Sequence, residues 1–167
     1  MSAHDTESRD LAGAVFDLWS AAGKKTELTV NGWSMRPLID YGDTVLLDHA
    51  ARDIRPGAIV AFRRGNKIVV HRVLRRRRVG DEWVYVSRGD ATVRHDPPVR
   101  QHAVIGEVLS LRKQGATAWT DLRGARWRAL GTLMLLRDML QSITPLPRLG
   151  GNAALRRIVA LMLGGQR

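Results

Sequence analysis

The sequence predicts a mainly β protein: a coiled, antiparallel β-sheet domain with one N-terminal helix before it and a C-terminal helical appendage after it. Three observations carry that prediction. Between residues 26 and 111, short alternating or β-branched runs recur between turns rich in Gly, Pro, Asn and Asp, the pattern of hairpin-linked strands. Ahead of them, Leu11, Ala14, Val15, Leu18, Trp19 and Ala22 fall at helical spacing, with Gly23 as the stop. Behind them, Trp127 to Gln141 and Ala153 to Leu163 are apolar segments of helical period, split by Thr144-Pro145-Leu146-Pro147 and Gly150-Gly151. Three units follow: a polar segment and helix over 1–25, the β domain over 26–112, and a basic connector with an amphipathic helical tail over 113–167.

Taken in order, the first strand is expected over 26–31, where Glu27-Leu28-Thr29-Val30 alternates polar and apolar. A second follows at 44–48, after the turn Tyr41-Gly42-Asp43. Arg52 to Gly57 forms a turn, and strands at 58–63 and 67–74 pair across Arg64-Gly65-Asn66. The arginine run Arg75 to Arg78 reads as a solvated hairpin end, because alternation along a strand sends neighbours to opposite faces and leaves no single basic stripe. Trp83 to Ser87 and Val104 to Leu111 are the remaining strands, with Pro97-Pro98 interrupting the pairing between them. Gly115 to Arg126 is a polar connector.

With 167 residues, 44% of them hydrophobic, the chain can bury a core of mostly aliphatic side chains. The absence of cysteine excludes disulfides, thiolate metal sites and a cysteine nucleophile. His4, His49, His71, His95 and His102 are scattered without the spacing of a zinc helix, so neither metal nor cofactor is expected. The net charge of +11 is uneven: residues 112–167 hold ten Arg and Lys against Asp121 and Asp138, a net +8. Such a tail favours an anionic partner. The two tail segments hold only 11 to 15 residues, against roughly 20 for a bilayer span. No secretory signal is visible, so the expected setting is cytoplasmic or peripherally membrane-associated, with 127–163 meeting an anionic membrane surface, a partner protein or the chain's own sheet.

The chemistry gathers around Asn31 to Asp43, NGWSMRPLIDYGD. A strand leads into it, Gly32 permits a sharp change of direction, and Pro37 stiffens the turn that carries Ser34. A serine hydroxyl becomes a nucleophile only beside a base. The candidate base is His71, in the β-branched run Lys67 to Leu74; His95, next to Asp96, is a second candidate but sits in a turn. Asp90 and Asp96 are the carboxylates able to orient an imidazole.

These pieces, in this order, resemble the serine peptidase superfamily that includes signal peptidase I and the LexA-like self-cleaving repressors. The matching residues are Gly32-Trp33-Ser34-Met35-Arg36-Pro37-Leu38-Ile39 with Gly42-Asp43, Arg55 to Phe62, His71-Arg72-Val73, Gly89-Asp90-Ala91, Asp96 to Val99, and Ile105 to Val108. Where bacterial signal peptidases and repressors carry a lysine base, this chain has His71 followed by Arg72, as in the archaeal, endoplasmic-reticulum and sporulation-type enzymes. The resemblance implies a LexA/signal-peptidase-like fold and a Ser–His serine endopeptidase, with Ser34 as nucleophile, His71 as general base, and Asp90 or Asp96 in support. It implies that peptide or preprotein substrates add as an extended strand beside Leu28, Val30, Gly32, Trp33, Met35 and Pro37, and that signal peptides, leader peptides or small precursors are cut. Two other readings compete: a catalytically idle relative that binds peptides or a partner, and a LexA-like regulator binding DNA through the basic tail. The second is disfavoured, and nucleic acid with it, because only one helix precedes the first strand and the base is not lysine.

Overall fold

The computed structural model describes residues 18, 19, 22–51, 53–143 and 152–164. The expected helix over 8–22 lies outside the described residues except at its end, where Ala22 N–H donates to Leu18 O at 2.9 Å and Gly23 follows with φ +60°.

Two tight hairpins build the middle of the sheet. β3 (Ile59–Arg64) returns as β4 (Lys67–Val79) across Gly65-Asn66, and β4 returns as β5 (Glu82–Arg88) across Gly80-Asp81. In each, the first loop residue is a glycine at φ +60°, the conformation a two-residue hairpin requires there and one that costs glycine nothing. Among the described residues, β1 (Lys25–Thr29), β2 (Thr44–Asp48), β6 (Val99–Arg100), β7 (Val104–Arg112) and β8 (Thr120–Asp121) complete an eight-stranded sheet in the order β1-β2-β7-β3-β4-β5-β6, with β8 paired to β7 and every pairing antiparallel. The protein is therefore mainly β, as its sequence predicts. α1 (Ala125–Ile143) and α2 (Asn152–Gly164) follow.

Several boundaries differ from the sequence reading. β4 runs through the arginine run to Val79, so Arg75 to Arg78 are paired strand residues, at the turn end of the β4–β5 hairpin as expected. Arg76 stacks over Trp83 with its guanidinium carbon 4.4 Å from the ring centre, while Arg75, Arg77 and Arg78 are exposed. The polar connector contributes β8, which bonds to Leu111 and Ser110.

The sheet is buried on both faces where β3 crosses it. Ile59 and Ala61 point into the larger cluster, with Val45, Leu47, Val70, Val108 and Leu111; Val60 and Phe62 point into the smaller one, with Ile54, Val73, Tyr85 and Val99. This is the period-two division of a strand with no solvent face. Trp127, Leu130 and Met134 of α1 and Leu155 and Val159 of α2 belong to the larger cluster, so the helical tail packs on the sheet. Gly131 sets the approach: a Cβ there would lie 3.0 Å from Gly57 O, leaving the two backbones in direct contact. Among the described residues, no helix is long and apolar enough to cross a membrane.

Candidate active site

Ser34 sits in the turn after β1. Val30 N–H donates to Asp43 O and Gly42 N–H to Val30 O, both at 2.8 Å, which closes the segment 31–42 into a loop projecting from the sheet. Inside it, Met35, Leu38 and Ile39 point into the larger core and are almost fully buried. Lys113 Nζ donates to Asp43 Oδ2 at 2.6 Å and to Leu38 O at 3.0 Å, fastening the loop from beneath. The Arg36–Pro37 peptide is cis.

His71 lies on β4, opposite Val60 of β3, on the face shared with Val69 and Val73. Its ring stands edge-on to Phe62, with centroids 6.2 Å apart. Nδ1 is 2.6 Å from Asp96 Oδ2 and Nε2 is 2.9 Å from Ser34 Oγ. An ionised carboxylate can only accept, so a neutral His71 must carry its proton on Nδ1 and present the Nε2 lone pair to the serine hydroxyl. Residues 34, 71 and 96 thus form one hydrogen-bonded chain, with His71 and Asp96 buried.

Asp96 is held from three sides. Its Oδ2 accepts from Ser87 Oγ–H at 2.8 Å as well as from His71, and its Oδ1 accepts from Arg64 Nη1 at 3.0 Å. Burial alone would raise its pKa, but the hydrogen bond and charge of His71, with Ser87 and Arg64, outweigh burial and hold the carboxyl below its ordinary 3.8. Ser87 and Arg64 are residues that the sequence reading did not single out. No local signal marks them, because their contacts join β3, β5 and the β5–β6 loop.

Asp90, the other aspartate expected near His71, does not reach it. Its two oxygens accept from Arg72 Nε at 2.9 Å and Nη2 at 2.7 Å, in a buried ion pair. Alternation on β4 turns Arg72 to the face opposite His71, and Asp90 goes with it. His95, the second base candidate, is 2.7 Å from Asp138 Oδ1 through Nε2. Gly89 lies against both Ser34 and His71: an added Cβ would lie 2.6 Å from Ser34 O and 2.9 Å from His71 Nε2. The next turn of the loop is anchored by Ala91 N–H donating to Ser34 O at 2.8 Å.

The residues expected along a substrate divide. Val30 and Met35 are core residues, with Met35 only 1% exposed, so their side chains are not available to a ligand; β1 alternation and the inward turn of the loop account for both. Leu28 is partly buried against the same core, and Gly32 and Pro37 are partly exposed. Trp33 is 58% exposed and stacks on Tyr41, 5.5 Å between centroids, next to Ser34 in the chain. Among the described residues β1 is paired by β2 alone and forms an edge of the sheet.

A coiled antiparallel β domain that presents a serine, a histidine and an aspartate in hydrogen-bonded sequence has the form of a serine-peptidase-like protein of the LexA type. The family model described as Peptidase S24-like matches residues 3–109, and the chain belongs to that family. No curated protein and no solved structure matches it.

Proposed function

We propose that this protein is a serine endopeptidase of the Ser–His type, in which Ser34 is the nucleophile, His71 the general base and Asp96 the residue that orients and charge-stabilises the imidazole. The observation that carries the reading is the contact of Ser34 Oγ with His71 Nε2 at 2.9 Å, backed by Asp96 at 2.6 Å, in a chain of the S24-like family.

In this scheme His71 takes the hydroxyl proton as Ser34 Oγ attacks a peptide carbonyl, and Asp96 stabilises the resulting imidazolium. The tetrahedral oxyanion is met by the Ser34 backbone N–H. The imidazolium then gives its proton to the leaving amine, and water repeats the sequence to release the acyl group. The substrate is an extended peptide, such as a signal peptide, a leader peptide or a small precursor, added along the edge of β1 by backbone hydrogen bonds. Gly32 and the exposed Trp33 lie where that strand meets Ser34. A peptide library incubated with wild-type and Ser34→Ala protein, analysed by mass spectrometry, tests the assignment: cuts made only by the wild type are expected, and equal cutting by Ser34→Ala overturns it.

The tail supports a second element of the reading, contact with an anionic membrane surface. Leu133, Leu136, Met139, Leu140 and Leu161 are exposed on helices that also carry Arg128, Arg137, Arg156 and Arg157, the composition of an interfacial helix. Co-flotation with anionic but not zwitterionic liposomes is expected; failure to float with either removes this element and leaves the peptidase reading untouched.

A further inference from the structure

The loop 89–98, between β5 and β6, supplies three of the contacts that define the candidate active site: Gly89 against Ser34 and His71, Ala91 N–H to Ser34 O, and Asp96 to His71. A connection of that length has many conformations available and holds a carboxylate in one place only if other contacts fix it. Part of the fixing is internal: Asp96 N–H donates to Ser87 O at 2.8 Å, and Ser87 Oγ–H to Asp96 Oδ2 at 2.8 Å.

The rest comes from outside the sheet. Asp138, on α1, extends its carboxylate to the residues that flank that pair. Its Oδ1 accepts from Arg88 Nη1 at 2.9 Å and lies 2.7 Å from His95 Nε2; its Oδ2 is 3.5 Å from Arg75 Nη2. Arg88 directly follows Ser87, and His95 directly precedes Asp96. One carboxylate therefore grips both ends of the loop, one residue away on each side from the Ser87–Asp96 contact. The Arg88 and Asp138 side chains are 5% and 7% exposed, so neither charge can turn to water when the other is lost. α1 is aimed there by its buried stripe: Trp127, Leu130, Gly131, Met134 and Asp138 recur at helical spacing. Arg137 Nη1, at 3.5 Å from Asp90 O, lies over the same loop.

We propose that Asp138 is a positioning residue for the Ser34–His71–Asp96 chain: by clasping Arg88 and His95 it holds the β5–β6 loop closed and keeps Asp96 on His71 Nδ1. The catalytic consequence rests on the peptidase reading; the positioning itself does not. Asp138 lies beyond residue 109, where the family match ends, so a determinant of the site comes from the helical tail.

The test uses the full-length chain and two readouts. One is the downfield proton resonance of His71 Nδ1–H, which reports its bond to Asp96 whether or not the protein cleaves anything. The other is the rate of peptide cleavage. Asp138→Asn is expected to shift or broaden the His71 resonance in protein that remains folded by circular dichroism, and to lower kcat/KM at least tenfold. His95→Gln, which keeps the Arg88–Asp138 pair, is expected to move both in the same direction by less. Arg123→Gln, which removes an exposed ion pair with Asp121 at the end of β8, is expected to move neither. A folded Asp138→Asn with the wild-type resonance and rate overturns the proposal. Should Asp138→Asn fail to fold, an unchanged resonance in His95→Gln overturns it instead. A resonance that responds to Asp138→Asn in a protein that cuts no peptide upholds the clasp and rejects the peptidase reading.

Discussion

Arg72 holds Asp90 with two prongs of its guanidinium, 2.9 Å to one carboxylate oxygen and 2.7 Å to the other, one residue along β4 from His71. Its remaining nitrogen, Nη1, donates to Gly57 O at 2.7 Å, so the same side chain joins the β5–β6 loop to the turn that supports α1. Both partners are almost fully enclosed. The pair explains why two neighbouring strand residues, one histidine and one arginine, each recruit an aspartate from a single loop and never exchange them.

Removing one partner leaves a buried charge without compensation. Asp90→Ala is expected to destabilise the fold by about 3–5 kcal/mol, and the double change Arg72→Met with Asp90→Ala by clearly less. Urea denaturation of the three proteins measures both values; equal losses in the single and double variants would show that the pair is not the source.

Asp96→Asn keeps the side-chain shape but can donate where Asp96 only accepts, which favours the wrong His71 tautomer. On the peptidase reading kcat/KM falls by about 10³–10⁴ while the far-ultraviolet circular dichroism spectrum is kept. A loss below tenfold would mean that His71 is oriented by something else.

At Gly89 the methyl of an alanine would enter within 2.6 Å of Ser34 O and 2.9 Å of His71 Nε2. Those atoms belong to a backbone and to a ring pinned at both nitrogens, so neither can turn aside. Gly89→Ala is expected to break the Ser34–His71 contact and, on the peptidase reading, to lower kcat/KM by about two orders of magnitude, since displacement of an ångström costs that much. The cleavage assay, with a thermal melt as the folding check, decides.

The depressed pKa of Asp96 has a definite sign in stability. Its carboxyl stays ionised in the fold to lower pH than in the unfolded chain, whose value is near the ordinary 3.8. The stabilisation is fully present above about pH 5 and is lost as pH falls past the unfolded value towards the folded one. Wild-type stability is therefore expected to fall more steeply than that of Asp96→Asn between about pH 5 and 3 in urea titrations. Parallel curves would contradict the assignment.

Much of this was readable in the chain. The serine turn and the histidine strand are local patterns, Gly32 and Pro37 around Ser34 and a β-branched run ending near His71, and the structure brings the two side chains to 2.9 Å. The choice between Asp90 and Asp96 was not readable, because both lie in one loop and only the facing of β4 separates them. The family resemblance implied that Val30 and Met35 lie beside a substrate, but both side chains turn inward to the core. Arg64, Ser87 and Asp138 act across elements far apart in sequence, and no periodicity announces such a meeting.

Gly131 and Asp138 stand two turns apart on one side of α1, about 10 Å along its axis. A methyl group at 131 would press on Gly57 O at 3.0 Å, against main chain that has no rotamer to offer. The helix would have to lift by a few tenths of an ångström at that fulcrum, and its far end would swing with it. A substitution that touches none of Ser34, His71 and Asp96 would then reach them by leverage, through the rod that carries the clasp.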